Sequence, residues 1–303
     1  MKEPGRIWLL DASIYIFRAW FSMPDRWHTE DGMPLNAVYG YASSLLDICR
    51  RVAPGDTLAA AFDESLGSCF RNEIYPGYKA RRELPDEALA FQLATCRELT
   101  EQAGIACYSG PRYEADDYLA CLARLAKREN KAVTVITRDK DLGQLLVDEH
   151  DYWWDAAADR VVDRSGFVEQ FGVHPYQFAD YLALVGDSID DIPGVPGVGP
   201  KTAAGLLQAL GDIDSMIKRL DEIATLPVRG AARLSEKLDA HWPQIQVSRQ
   251  LTRLQDEIEG LDALPGFTLC PTRSARVADY LESLSLPGPL AGRWRAAGRA
   301  VAQ

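Results

Sequence analysis

Acidic side chains at the ends of apolar runs are the first chemistry this sequence offers. Arg6-Ile-Trp-Leu-Leu-Asp11, Thr57-Leu-Ala-Ala-Ala-Phe-Asp63 and Ala132-Val-Thr-Val-Ile-Thr-Arg-Asp139 each read as a buried strand closing on an aspartate, with Asp141 just beyond the third. A fourth acidic group, Tyr113-Glu-Ala-Asp-Asp-Tyr118, opens a helical segment after a short strand at Ile105–Tyr108 and puts Glu114, Asp116 and Asp117 into one turn. Taken singly, each acid is explained by helix capping or by the helix dipole. Gathered on one edge, they repel strongly unless something positive binds between them. Hard divalent cations with oxygen ligands, Mg2+ or Mn2+ as its substitute, are the natural neutralisers.

Elements that must position these acids are visible between them. Helical patterns run over Ala37–Val52, Asp86–Ala103 and Glu114–Glu129. Strands separated by helices predict an α/β fold with a doubly wound, mostly parallel sheet, in which ligands collect outside the carboxyl ends of the strands. Near residue 175 the character changes. Pro175–Val185 reads as a helix ending at Gly186, followed by Asp187-Ser-Ile-Asp190-Asp191, a glycine- and proline-rich turn through Lys201 and Thr202, and a helix over Ala203–Leu210. The backbone amides of such a turn, around Gly197 and Gly199, suit a phosphate, with Lys201 adding charge and Thr202 a hydroxyl. Pro200 before Lys201, and a helix rather than a strand ahead of the turn, exclude a nucleotide-binding P-loop. If the second lobe packs on the carboxyl edge of the sheet, Asp187 and Asp190 join the acids from the far side.

The most basic and aromatic stretch is Phe70-Arg71-Asn-Glu-Ile-Tyr75-Pro-Gly-Tyr78-Lys79-Ala-Arg81-Arg82. Arginine and lysine suit phosphate, and tyrosine suits stacking on an unpaired base. Composition alone would fit a solvated basic face equally well. Its place between the Asp63 strand end and the Asp86 helix sets it over the acids.

At 303 residues the chain accommodates a large domain with a smaller companion. Hydrophobic residues at 47% and charged residues at 25% exclude disorder and low complexity. No apolar run approaches a membrane span, and the opening Met1-Lys-Glu-Pro-Gly-Arg6 does not lead into a signal peptide, so no membrane role is expected. The scattered cysteines Cys49, Cys69, Cys96, Cys107, Cys121 and Cys270 form no C-x-x-C pair, which points to a reducing, cytoplasmic setting. A net charge of −11 argues at first against a polyanionic partner. Setting the acids named above aside leaves the rest nearly neutral, and bound cations reverse the local field.

In order and separation these motifs resemble the 5′ nuclease family of flap endonucleases and 5′ to 3′ exonucleases, which includes the nuclease domain of bacterial DNA polymerase I. The resemblance spans about residues 6 to 260. It rests on Leu-Leu-Asp11, Ala-Phe-Asp63, Phe70-Arg71 through Arg82, Glu114-Ala-Asp116-Asp117, Asp139-Lys-Asp141 and Gly186-Asp187 through Lys201-Thr202. It implies a PIN-like metal-dependent nuclease domain over 1–174 with a helical arch near 70–100, a helix-three-turn-helix DNA-binding region over 175–262, and a C-terminal tail over 263–303 that is a surface helix or an extra phosphate contact.

The resemblance further implies Mg2+-dependent hydrolysis of branched or 5′-flap DNA in replication and repair. Asp11, Asp63, Glu114 and Asp116 would hold a first metal, Asp139, Asp141, Asp187 and Asp190 a second, and Asp117 would belong to the same shell. Lys79 and Arg82 would place charge at the scissile phosphate, and Tyr78 would stack on a frayed nucleotide. Arg71, Arg81, Gly197, Gly199, Lys201 and Thr202 would bind DNA, and the carbonyls of Ile192, Val195 and Val198 would take K+. A monomer is implied, with replication or repair proteins as possible partners, and a chain of this length would be the nuclease alone. Departures are Phe17-Arg18-Ala-Trp20-Phe21-Ser22 after Ile16, Arg138 before Asp139, and Asp191 where relatives commonly carry asparagine. The competing readings are a DNA-junction binder without catalysis, a ribonuclease, and a metal-dependent phosphatase.

Overall fold

The computed structural model describes residues 5–228 and 230–301. The opening residues Met1 to Pro4, on which the expectation of no leader partly rests, and the end of the 263–303 segment fall outside that range. Alternating chain signals resolve into β1 (Arg6–Asp11), α1 (Ala12–Ser22), α2 (Asn36–Cys49), β2 (Thr57–Ala61), α3 (Phe70–Ile74), α4 (Glu87–Gln102), β3 (Ala106–Tyr108), α5 (Ala115–Arg128) and β4 (Ala132–Ile136). After β4 come β5 (Tyr152–Asp155), β6 (Arg160–Val162), α6 (Arg164–Phe171) and α7 (Phe178–Val185). The rest is helical: α8 (Pro200–Leu210), α9 (Ile213–Lys218), α10 (Leu220–Ile223), α11 (Ala231–Ala240), α12 (Trp242–Thr252), α13 (Pro271–Ser283) and α14 (Gly288–Val301).

The strands form one sheet in the order β3-β2-β1-β4-β5-β6, parallel throughout except for the antiparallel β5–β6 pair. Side chains alternate between its faces, as a two-residue period requires. Ile7, Leu9, Ala59, Ala61, Val133 and Val135 pack with α5, α7 and α8, while Leu10, Leu58, Ala60 and Ile136 pack with α1, α2 and α4. Both faces are therefore covered, which is why β2 and β4 are buried at every position. From β1 the chain winds outward through β2 to β3, then returns to lay β4 on the other side of β1. That reversal opens a crevice at the carboxyl ends of β1 and β4.

The expected helix over Asp86–Ala103 is α4, with Asp86 as its cap: the Asp86 carboxylate accepts the Leu89 N–H at 2.8 Å. The helix expected from Ala203 begins at Pro200, a residue well suited to a first helical position. The 263–303 segment is a correction. Rather than a tail, it holds α13 and α14, packed together over the α2 and α4 face, with Trp294 fully buried. Two of its arginines are paired: Arg293 with Asp47, and Arg295 with Asp279 and Glu282. Among the described residues no helix is long and apolar enough to cross a membrane.

Candidate active site

Asp11 ends β1 in the crevice. One carboxylate oxygen accepts the Thr137 hydroxyl at 2.7 Å, and the other faces the Ile14 N–H at the start of α1 at a weak 3.5 Å. The capping explanation for Asp11 is thus partly true and does not exhaust the residue. Thr137 follows β4, is fully buried, and also accepts the Asp139 N–H at 2.9 Å, so one hydroxyl fixes the acids of two strands. Asp63 is set by its own N–H, which donates to Ser13 Oγ at 2.9 Å, and its carboxylate accepts the Ala115 N–H at 2.8 Å. That bond joins the β2 end to the first turn of α5, which carries Glu114 and Asp116.

The second lobe closes the far side. Gly186 sits at φ +80°, and a Cβ on Gly194 would collide with the Val185 carbonyl, so glycine is required for this tight crossing. Asp187 exchanges both backbone hydrogen bonds with Ile192, fixing the turn that presents Asp187 and Asp190. Lys140 reaches across from the Asp139-Lys-Asp141 segment to Asp187 at 2.6 Å and Asp141 at 3.3 Å. Lys79 stands opposite, 2.5 Å from Glu114 and 3.5 Å from Asp190, with Arg82 2.8 Å from Asp190. Lys140 is a functional candidate that sequence reasoning missed. Its signal was a lysine held between two aspartates whose neighbours were already singled out.

Electrostatics ties the acids into one cluster. Burial, then the Asp63 charge, pushes Asp11 up to about 7, and burial, then Asp139, pushes Asp141 up to about 7. Asp116 is raised well above the usual carboxylate range by burial and by Asp139, Asp11 and Asp63. Asp63, on the exposed rim, is also raised, by desolvation first and Glu114 second. Burial raises Asp190 more than Lys79 and Arg82 lower it. Glu114 and Asp187 are lowered despite their burial, Glu114 by Lys79 and Arg71, Asp187 by Lys140.

The donor set is all hard oxygen, and Asp141 Oδ1 is buried without a hydrogen-bond partner, its ion pair with Lys140 being poorly directed. Both features fit divalent ions. As the side chains stand, no three acidic, histidine or cysteine groups among the described residues enclose an ion. Lys79 and Lys140 supply the positive charge between them.

Asp11 and Asp141 fix an expected pH response. Folded-state values raised to about 7 from 3.8 mean that the folded protein binds more protons than the unfolded chain across that interval. Their contribution to stability therefore declines as pH rises from about 4 to about 7, opposed at the acid end by the lowered Glu114 and Asp187. The melting temperature without divalent ions falls over that rise. Adding Mg2+ at pH 7 flattens the fall and releases protons, which a weakly buffered calorimetric titration reads directly.

Four sequence-predicted site residues are placed elsewhere. Arg71 is 2% exposed and cannot reach DNA. Its guanidinium holds Asp117 in two 2.7 Å hydrogen bonds, touches Glu114 at 3.2 Å, and donates to the carbonyls of Leu251 and Arg253. Asp117, fully buried, spends its remaining capacity on the backbone N–H groups of Glu114 and Gln255, leaving nothing for a metal. Tyr78 is 3% exposed, donates to Glu114 at 2.7 Å, and packs with Ile192 and Leu251 instead of offering a face to a base. Arg81, expected on DNA, pairs at 2.5 Å with Asp191.

Gly197, Gly199, Lys201 and Thr202 line a groove of about 890 Å³ together with Arg233 and Lys237 of α11. The two basic residues went unnoticed in the sequence, although their four-residue spacing on one helix face is a readable signal. Gly197 is at φ +80°, and Lys237 donates to the Pro196 carbonyl at 3.1 Å. The carbonyls of Ile192 and Val195 accept the N–H groups of Asp187 and Val198, each at 2.9 Å.

The arrangement is that of an acidic site at the switch point of a doubly wound sheet, with a glycine-turn helical module beside it. Residues 6–172 match the family model of the 5′-3′ exonuclease N-terminal resolvase-like domain, and residues 173–270 that of the 5′-3′ exonuclease C-terminal SAM fold. The chain belongs to the 5′-3′ exonuclease family, which includes flap endonucleases. DNA polymerase I of Rhizobium leguminosarum is 34% identical over 293 residues, covering 94% of this chain and 28% of that protein. Thermostable DNA polymerase I of Thermus aquaticus is 36% identical over 264 residues, covering 84% of this chain and 29% of the relative. The chain thus spans under a third of the length of these relatives. In fold it is similar to the T5 D15 protein crystallised with metal ions (TM-score 0.67, 18% identity, 98% of this chain and 100% of that one). It is also similar to the catalytic core of Rad2 in complex with DNA substrate (TM-score 0.61, 16% identity, 98% and 92%). The segment that builds α13 and α14 lies outside both family models.

Proposed function

We propose that this protein hydrolyses DNA phosphodiester bonds at 5′ ends and flaps, as a structure-specific 5′ to 3′ exonuclease and flap endonuclease using Mg2+, with Mn2+ as a substitute. The observation that carries this reading is the convergence of acids from β1, β2, α5, the β4 end and the second lobe on one crevice, where they raise one another's pKa values. Asp11, Asp63, Glu114 and Asp116 would hold one ion, and Asp139, Asp141, Asp187 and Asp190 another. Such ions make a bound water acidic enough to yield hydroxide and stabilise charge on the phosphate.

The chain's own groups do the rest. Thr137 and Ser13 hold Asp11 and Asp63 at fixed angles, so the acids need little reorganisation. Lys79 and Arg82 bring positive charge to the rim and exchange their carboxylate partners for the scissile phosphate. The groove beside the glycine turn, with Lys201, Thr202, Arg233 and Lys237, suits a duplex backbone bound without regard to sequence. The carbonyls of Ile192, Val195 and Val198 are the donors for a K+ ion at that turn. The reading places the protein in the cytoplasm as a monomer, working in replication and repair.

A labelled double-flap DNA, its continuous duplex control and an RNA flap of the same sequence, with Mg2+, Mn2+ or EDTA at one salt concentration, test this. Metal-dependent cutting near the flap junction, with the RNA flap and the duplex cut more slowly, is the expected result. Binding of the flap without cutting in any lane would make the protein a junction binder.

A further inference from the structure

The basic segment is strapped to the second lobe by contacts that the catalytic reading does not need. Arg81, although 72% exposed, donates through Nε to Asp191 Oδ1 and through Nη2 to the Ser188 carbonyl, each at 2.5 Å. Its backbone N–H faces Asp191 Oδ2 at 3.4 Å. Two residues earlier along the strap, the Lys79 N–H donates to the Asp190 carbonyl at 3.0 Å. Tyr78, Ile192 and Leu251 close the contact with a small apolar core.

Backbone strain marks the same place. Lys79 at φ +51° and Asp191 at φ +57° are both left-handed, a conformation that residues other than glycine adopt only where their surroundings hold them. The two strained residues lie on opposite sides of the strap. The Arg81–Asp191 pair between the two sides fixes the segment from which Lys79 and Arg82 reach Glu114 and Asp190. Asp191 also sets a negative charge beside Arg81, where a phosphate would be repelled.

We propose that Asp191 and Arg81 are positioning residues: their pair holds the basic segment so that Lys79 and Arg82 face the acidic crevice, and Arg81 serves the reaction through this strap without gripping DNA. The proposal deepens the nuclease reading and rests on it for its kinetic consequences. It predicts what a direct phosphate contact does not, namely that removing either partner slows turnover and leaves substrate affinity alone.

The variants are Asp191→Asn, Arg81→Ala, the double variant, and the exchanged pair Arg81→Asp with Asp191→Arg. Asparagine tolerates the left-handed conformation well, so Asp191→Asn removes the charge without unfolding the turn. On flap DNA with Mg2+, both single variants lose roughly 10-fold in kcat at unchanged KM, the scale of a small misplacement of charged groups. The double variant is no slower than the slower single, and the exchanged pair recovers part of the loss. The Lys79 amide exchanges hydrogen faster in both singles.

If Arg81→Ala instead raises KM and flattens its salt dependence while Asp191→Asn lowers KM, Arg81 grips phosphate and the strap is overturned. Additive losses in the double variant also overturn it. Were the wild type to cut nothing, the nuclease reading would fail on its own account. Amide exchange would still decide the strap: unchanged protection of Lys79 in both singles refutes it, and faster exchange upholds it.

Discussion

Asp116→Asn lowers Mg2+-dependent flap cleavage by roughly 100- to 1,000-fold, the scale on which one preorganised charge at a reacting phosphate acts, and at the same time raises the melting temperature of the metal-free protein. The two effects have one cause. Asp116 stands in the first turn of α5 among Asp139, Asp11 and Asp63, where burial and three like charges raise its pKa far above the carboxylate range. A carboxylate raised in the folded state costs stability at every pH above its unfolded value, because ionising it there is harder than in the open chain. Asparagine keeps the shape and removes that cost, so the gain in melting temperature is larger at pH 8 than at pH 4. With Mg2+ present the sign reverses, since the ion stabilises the wild type through the charge that the variant lacks. Thermal melts at both pH values, with Mg2+ or EDTA, and single-turnover cleavage check this. A variant that loses activity together with stability in EDTA would make Asp116 a structural residue.

The strands that carry the acids were legible because both faces of the sheet are buried. Apolar runs ending in Asp11, Asp63 and Asp139 have few other readings, and Asp86 announces α4 as a cap should. What stayed hidden was partnership at a distance. Arg71 belongs to a basic run, and nothing local says that its fork is filled by Asp117, 46 residues on, and by carbonyls about 180 residues on. Tyr78 was misread for the same reason, its hydroxyl being claimed by Glu114. The strands β5 and β6 are too short to show a period. In contrast, α14 was readable: Leu290, Ala291, Trp294 and Ala297 recur at helical spacing, and all are buried, but the arginines between them drew attention to charge. Such errors fall where a polar residue has a buried partner, because composition shows the charge and not what neutralises it.

Arg71→Met costs about 3 to 5 kcal/mol of stability, the range for removing one partner of a buried ion pair. The expectation follows from what Arg71 joins. Leaving α3, its guanidinium satisfies Asp117 and Glu114 at the start of α5 and the carbonyls of Leu251 and Arg253 at the end of α12. A methionine fills the volume but leaves Asp117 fully buried without its counter-ion and held only by backbone N–H groups. Arg71→Lys restores the charge and not the fork, so it recovers only part of the loss. A double variant, Arg71→Met with Asp117→Leu, is more stable than Arg71→Met alone, because the orphaned charge is gone. Denaturant midpoints for wild type, Arg71→Met, Asp117→Leu and the double variant give the coupling, and the salt dependence of duplex binding separates this role from a DNA contact. A folded Arg71→Lys variant keeps the wild-type salt slope, since a side chain that never meets solvent displaces no counterion from DNA. A shallower slope with undiminished stability in Arg71→Met would return Arg71 to the DNA surface and leave Asp117 without the partner that the fold assigns to it.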